Sequence, residues 1–401
     1  MVTNRAIATA RGPGLALKSF YMPQIVEIND LTDLEPYQLV WRALWQQTPD
    51  ASFFQSLEWL KVYREHFGAR NRLRVLITLS GKEVIGILPL AVVSRRLTSG
   101  FARVLSYATA PWLPVTGPVG PNPTATLHAA LKHQAGIRRD WDILDLRWPE
   151  TDRGKTKLAM ELAGFAGHVD QSAATPTIDL EGDWQVYLDS RSIRLRDVLR
   201  SAEASAAREG ELTHERHRPA GAMHADDNPR WDLISESLER PDWRWHASFF
   251  GAAGPISGKG GLFRDTHLAA TSAGACDLNL LRLNGTAVAA AYNVHHRGSV
   301  IGLCAGYDPA KAAWFPDELL LAKMLEDSCH LGDHQIDFVP GQTNHTSAWS
   351  TRLCRTARCR HYASSAKGLL LRLRGAVTDA ESQFQPKLTN AESQFRPRAV
   401  P

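Results

Sequence analysis

Two stretches of this chain carry the same rhythm of apolar and polar positions. Residues 73–93, LRVLITLSGKEVIGILPLAVV, read as an apolar strand, a turn at Ser80-Gly81 and a second apolar strand. Residues 278–302, LNLLRLNGTAVAAAYNVHHRGSVIG, repeat the pattern with the turn at Asn284-Gly285. Asn-Gly between two such runs signals a two-residue hairpin, whose turn positions need positive φ. Each hairpin is followed by a strand ending in Tyr107 or Tyr307, a Pro-containing loop and a helix, Thr124–Ala135 or Pro316–His330. A short strand mixing acidic and apolar residues follows, Asp142–Glu150 or His334–Gln342, and then a polar stretch and a final strand-like run. One α/β unit therefore occurs twice.

Helical periodicity precedes each unit. Leu34–Thr48 and Leu57–Phe67 place apolar residues three and four apart, among them Leu57, Leu60, Tyr63 and Phe67. In the second half, Ser190–Gly210 carries Leu195, Val198, Leu199, Ala202 and Ala206 on one face, with Gly210 as the stop. Another helix runs from Pro229 to Arg240. The ends differ in character. Residues 1–20 read as a flexible arm, and from 376 to 401 a polar, Pro-punctuated tail repeats AESQFQP (Ala380–Pro386) as AESQFRP (Ala391–Pro397). The organisation expected is an arm at 1–20, a first half at 21–175, a second half at 176–375 and a disordered tail.

Composition narrows the partners. At 401 residues, with 44% hydrophobic and 22% charged residues, the chain is ordinary globular material for two units. A formal net charge of +4 does not call for nucleic acid. No apolar run approaches the roughly 20 residues that span a bilayer, and the first twenty lack a continuous apolar signal segment. The five cysteines are odd in number and confined to the second half, which points to a reducing cytoplasm. Cys354, Cys359 and His361 match no zinc spacing, and no metal is expected.

Several ordered words of the chain resemble the CelD-type acetyltransferases associated with cellulose or exopolysaccharide biosynthesis, a group distantly similar to the Fem peptidyltransferases. They are FFQSLEWLKVYREHFG (Phe53–Gly68), VIGILPLAVV (Val84–Val93), AAREGELT (Ala206–Thr213), LNLLRLNGTAVAAAYNV (Leu278–Val294), GYDP (Gly306–Pro309) and IDFVPGQTNHTSAW (Ile336–Trp349). The resemblance spans about residues 50–365. It implies two tandem GNAT-like halves, each a mixed twisted sheet flanked by helices, and acyl transfer from acyl-CoA to an amine or hydroxyl on a small-molecule or saccharide acceptor. The alternatives it leaves open are a Fem-like transferase using aminoacyl-tRNA and a non-catalytic accessory protein of a polysaccharide-synthesis complex. The chain departs from the family at Phe315-Pro316-Asp317, where a Ser-Pro-Gly word is usual, and at Asn344-His345, where a Tyr-Lys pair is usual.

Acyl transfer needs a base for the nucleophile's proton and an acid for the leaving thiolate. On a sheet of this kind the strand ends before and after the helix converge, which makes Asp337 the expected base and Tyr307 the expected acid. His345 is a further candidate, with Trp349 packed beneath it. A CoA pyrophosphate needs N–H groups where a loop enters a helix, so Asp308, Lys311, Phe315 and Pro316 are the expected cofactor contacts. Asp317 reads as a helix-start residue and Arg191, Arg194, Arg196 and Arg200 as a solvated helix face. GPISGKGG (Gly254–Gly261) lacks the spacing of a phosphate loop. His295 and His296, consecutive on a strand, face opposite ways and do not serve one site.

Overall fold

The computed structural model describes residues 23–68, 71–97, 100–109, 116–171, 174–180, 182–246, 260–339 and 346–374. The expected arm and repeat tail lie outside them. Among the described residues no helix is long and apolar enough to cross a membrane.

The hairpin signals are realised in the backbone. Asn284 and Gly285 both take positive φ, 50° and 80°, between paired Leu283 and Thr286, as a two-residue turn of the primed type requires. Asn284 also accepts a hydrogen bond from the Glu211 N–H at 2.9 Å, tying the turn to the preceding helix end. The helices form where capping residues meet apolar periodicity. Ser56 accepts from the Trp59 N–H and Ser192 from the Leu195 N–H, opening the helices Leu57–Phe67 and Ile193–Glu209. Pro36 breaks the expected Leu34–Thr48 helix into a 3₁₀ turn (Thr32–Tyr37) and an α-helix (Gln38–Gln47).

One sheet contains β1 (Gln24–Ile28), β2 (Asn71–Ser80), β3 (Glu83–Leu97), β4 (Gly100–Tyr107), β5 (Ile143–Pro149) and β6 (His168–Gln171). The other contains β7 (Thr175–Asp179), β8 (Leu212–His217), β9 (Arg244–Trp245), β10 (Cys276–Leu283), β11 (Thr286–His296), β12 (Ser299–Tyr307), β13 (Gln335–Phe338) and β14 (Arg352–Cys354). The last strand, β15 (Thr356–Tyr362), returns to the first sheet. The orders are β1-β2-β3-β4-β5-β15-β6 and β8-β10-β11-β12-β13-β7-β14, position for position the same. In both, the fourth and fifth strands are parallel, β4 with β5 and β12 with β13. The sixth place in each sheet is taken by a strand that enters from outside the local run: β15 lies between β5 and β6, and β7 between β13 and β14. Cys354 and Cys359, five residues apart, consequently sit in different sheets.

The helices are α1 (Gln38–Gln47), α2 (Leu57–Phe67), α3 (Pro123–Gly136), α4 (Lys155–Leu162), α5 (Trp184–Asp189), α6 (Ile193–Glu209), α7 (Trp231–Ser237), α8 (Gly260–Ala273) and α9 (Pro316–Leu331). A central core joins the halves: Leu73, Val75 and Ile77 of β2 with Trp41, Trp59 and Leu60, and Leu278, Tyr292 and Leu303 with Phe263 and Ile234. Trp45 stacks on His296 at 3.8 Å, and His66 pairs with Asp265 at 2.7 Å across the same junction. The outer face of the first sheet packs on α3 and α4, that of the second on α5, α6 and α9. Burial of this apolar area is the main stabilising term. Both sheets are mixed, flanked by helices, and together form the tandem architecture expected.

Candidate functional site

β12 and β13 pair only from Ser299–Gln335 to Gly302–Phe338. β12 then continues to Tyr307 while β13 ends, and the parallel strands part. The opening receives β9, which pairs antiparallel with Gly306 and Tyr307, and the His246 N–H donates to the Ala305 carbonyl at 3.0 Å. Gly306 allows this approach, since a Cβ there would stand 2.5 Å from the Trp245 indole.

Between the sheet and α9 lies a narrow apolar hollow, part of it open to solvent, walled by Ala291, Gly302, Leu320, Leu321, Met324 and Phe338. His246 and Asp317 stand on its lining, His246 Nε2 3.0 Å from Asp317 Oδ2. Asp317 belongs to the first turn of α9, as does Glu318. Glu318 accepts from Trp349 Nε1 at 2.5 Å. Burial, assisted by the neighbouring Asp317, pushes the Glu318 carboxyl up to about 7, against the opposing pull of Trp349 and His246. A proton acceptor oriented by a carboxylate, beside a group that exchanges protons near neutrality, is an arrangement suited to moving a proton. The turn carrying Trp349 is itself anchored: Tyr187 Oη donates to the Trp349 carbonyl at 2.5 Å, and Arg191 donates to the Ser350 carbonyl at 2.7 Å. Arg191 is thus a structural tie, whereas Arg194 and Arg200 are exposed, as a solvated face requires.

The expected site residues are dispersed. Tyr307 is buried in the core shared with α9, accepts from Arg244 Nη1 at 3.2 Å and lies 5.9 Å ring to ring from His246. Asp337 lies between Ile336 and Phe338, which pack in that same core, so strand alternation turns it to the opposite face. There it accepts from Thr177 Oγ1 and Gln335 Nε2, both at 2.6 Å, with Arg352 and Asp179 nearby. Burial raises its carboxyl. The structure does not bring Asp337 and Tyr307 into one hollow. His345 falls outside the described residues.

The loop expected to hold a cofactor forms a 3₁₀ turn, Pro309–Trp314, capped by Asp308, which accepts from the Ala310 N–H. The Lys311 and Phe315 N–H groups are already bonded to the Asp308 and Ala312 carbonyls. Lys311 Nζ is paired with Glu209 at 2.6 Å. Phe315 is left-handed (φ 52°) and half exposed, directly before Pro316 at the start of α9. With Asp317 and Glu318 in that first turn, the helix end carries acid rather than an open set of N–H donors.

His246 and Glu318 are the residues that sequence reasoning missed. His246 directly follows a two-residue strand, β9, that has no periodicity of its own. The one available signal was the acidic pair directly after Pro316, which repels phosphate yet suits a proton-handling site.

Residues 194–347 match a family described as an acetyltransferase (GNAT) domain. Among solved structures the fold is similar to that of FemX, 12% identical with a TM-score of 0.51, over 80% of this chain and 95% of that one. Lower similarities are to L-PGS from Bacillus licheniformis (13% identical, TM-score 0.44, 79% and 96% covered) and to a tandem GNAT protein from the clavulanic acid biosynthesis pathway (12%, 0.42, 86% and 99%). At such identities the likeness concerns the fold alone. No curated protein matches the chain in sequence.

Proposed function

We propose that this chain is an acyltransferase whose reaction occurs where β12 and β13 part, with His246 as the base. The observation that carries the reading is the His246–Asp317 pair on the lining of an apolar hollow inside the segment that matches the acetyltransferase domain. The acyl group occupies the hollow. His246 takes the proton of an amine or hydroxyl acceptor as it attacks the acyl carbonyl, and Asp317 orients the imidazole and stabilises its charged form. Tyr307 or Glu318 returns a proton to the leaving group, Glu318 being partly protonated near pH 7. The donor of this reading is acyl-CoA, with the 308–316 loop at its rim. A small-molecule or saccharide acceptor of the CelD type rests on the ordered words of the sequence. The two units are taken as 21–175 and 176–375, the second lending β15 to the sheet of the first.

A second reading has its own support. The engaged N–H groups of the 308–315 loop and the acid at the start of α9 disfavour a pyrophosphate there. A donor with no phosphate at that point, such as the aminoacyl ester of a charged tRNA, fits this feature better, although a net charge of +4 is small for tRNA.

Titration of the full chain with acetyl-CoA and with charged tRNA, followed by heat release, separates the two. Saturable binding of acetyl-CoA, with label passing to an amine or hydroxyl acceptor, supports the first reading. Binding of charged tRNA alone replaces it with the second, and binding of neither removes both.

A further inference from the structure

The hollow between the second sheet and α9 carries one polar side chain that the proposed transfer leaves unused. Asn293 of β11 lies on its lining and is 2% exposed. In the ladder it stands opposite Gly302 of β12. Its amide nitrogen is engaged by the protein: Nδ2 donates to Asp277 Oδ2 and to Met324 Sδ, both at 3.1 Å. Its amide oxygen accepts from no group among the described residues.

The amide is fixed in this sense. Asp277 is fully buried and receives Arg216 at both oxygens, Nε to Oδ1 at 2.8 Å and Nη2 to Oδ2 at 2.9 Å. Arg218 Nη2 adds a bond to Oδ2 at 3.2 Å. Against the cost of burial, the two guanidiniums hold the carboxyl well below the usual carboxylate range, so at neutral pH it only accepts. Turning the Asn293 amide would set oxygen against that carboxylate, and it is therefore Oδ1 that meets the hollow. The bare side of Gly302 borders the same atom. A Cβ there would stand 3.6 Å from Asn293 Oδ1 and 3.1 Å from the Phe338 ring, so glycine keeps this space open. The side chains walling it, Ala291, Leu320 and Phe338 among them, have no donor to offer. A buried acceptor facing such walls calls for a donor from a ligand.

We propose that the acyl group taken into this hollow carries a hydroxyl, which donates its hydrogen bond to Asn293 Oδ1. The proposal rests on the reading that the acyl group lies here, and adds its chemical class. Gly302, the ladder partner of Asn293, is three residues along β12 from Ala305, whose carbonyl receives the His246 N–H. Three residues of strand span roughly 10 Å. Asn293 thus stands well inside the mouth, which sets the hydroxyl a short way along the chain, as in a 3-hydroxyacyl group, and the narrow walls keep that chain short. An ammonium would also donate, but a charge is far costlier than a neutral hydroxyl to desolvate between apolar walls with one acceptor.

The test is ligand-detected NMR titration of the full chain with the N-acetylcysteamine thioesters of butyrate, of 3-aminobutyrate and of each enantiomer of 3-hydroxybutyrate. These esters lack the nucleotide of a CoA donor, and their binding needs no turnover. One hydroxy enantiomer is expected to bind about tenfold more tightly than the butyryl ester. Asn293→Leu should reverse the preference, the butyryl ester then binding more tightly. Gly302→Ala, which leaves Asp277 its partners, should reduce it to less than about threefold by crowding Oδ1, and carries the test if Asn293→Leu misfolds. Equal binding of hydroxy and plain esters, tighter binding of the amino ester, or loss of affinity for every ester alike in both variants would overturn the assignment. The butyryl and 3-hydroxybutyryl CoA thioesters, offered with an amine acceptor, keep the two readings apart. Preference without transfer removes the transfer reading alone, and transfer without preference removes the hydroxyacyl assignment alone.

Discussion

The two places where parallel strands part occupy equivalent positions in their sheets and share almost no chemistry. In the second half the opening is apolar, partly filled by β9, with one His–Asp pair on the lining and a carboxyl near neutrality beside it. In the first half it is lined by Arg95, Arg147, Arg358 and Asp145, and no inserted strand is seen there among the described residues. The scaffold therefore provides a crevice and does not decide its use. That decision rests with a few side chains: in the first sheet on the third, fifth and sixth strands, and in the second after β9 and on the helix that follows the fourth strand.

The comparison breaks most directly at His246. His246→Ala should lower kcat for acyl transfer by about 10²–10⁴-fold with the fold intact by circular dichroism. A loss smaller than threefold would move the chemistry elsewhere, the first half included. The next largest effect concerns Glu318. Its folded pKa, about 7, lies above its value in the unfolded chain, so the protonated form is the one that folding favours. Its contribution to stability is full below pH 4 and is lost as pH rises through about 7. Glu318→Gln should flatten this part of the Tm–pH profile and raise Tm at pH 8, as calorimetry across pH 5–8 would register.

Gly306→Ala places a Cβ against Trp245 and should displace β9, destabilising the chain by about 1–3 kcal/mol. Urea unfolding measures the cost. An unchanged midpoint would show that β9 packs more loosely than its pairing suggests. The smallest effect belongs to the hairpins. Asn284→Ala loses the bond to the Glu211 N–H and strains a positive φ, for about 1 kcal/mol in the same assay. Lys82→Ala, in the turn of the first hairpin with no bond of this kind among the described residues, should cost less than half as much.

Much of the architecture was legible because its signals are local. Asn284-Gly285 demanded its turn, Pro316 began its helix, Gly210 ended one, and apolar runs marked the strands of both units. The site was legible only in part. The convergence of strand ends before and after the helix of the second unit was expected, and Tyr307 does stand 5.9 Å from His246. Asp337 failed to join it because a strand residue's face depends on register and on which neighbours bury Ile336 and Phe338, neither of which is written in the residue itself.

The chain by itself determined the duplicated order of elements, since turn chemistry and hydrophobic period act over a few residues. Tertiary structure alone decided three things: that β15 returns to the first sheet, that β9 enters the opening between β12 and β13, and that His246 meets Asp317 across 71 residues. Each is a pairing between distant segments. Such pairings are selected by which surfaces can be buried together, a property of the assembled chain rather than of any stretch within it.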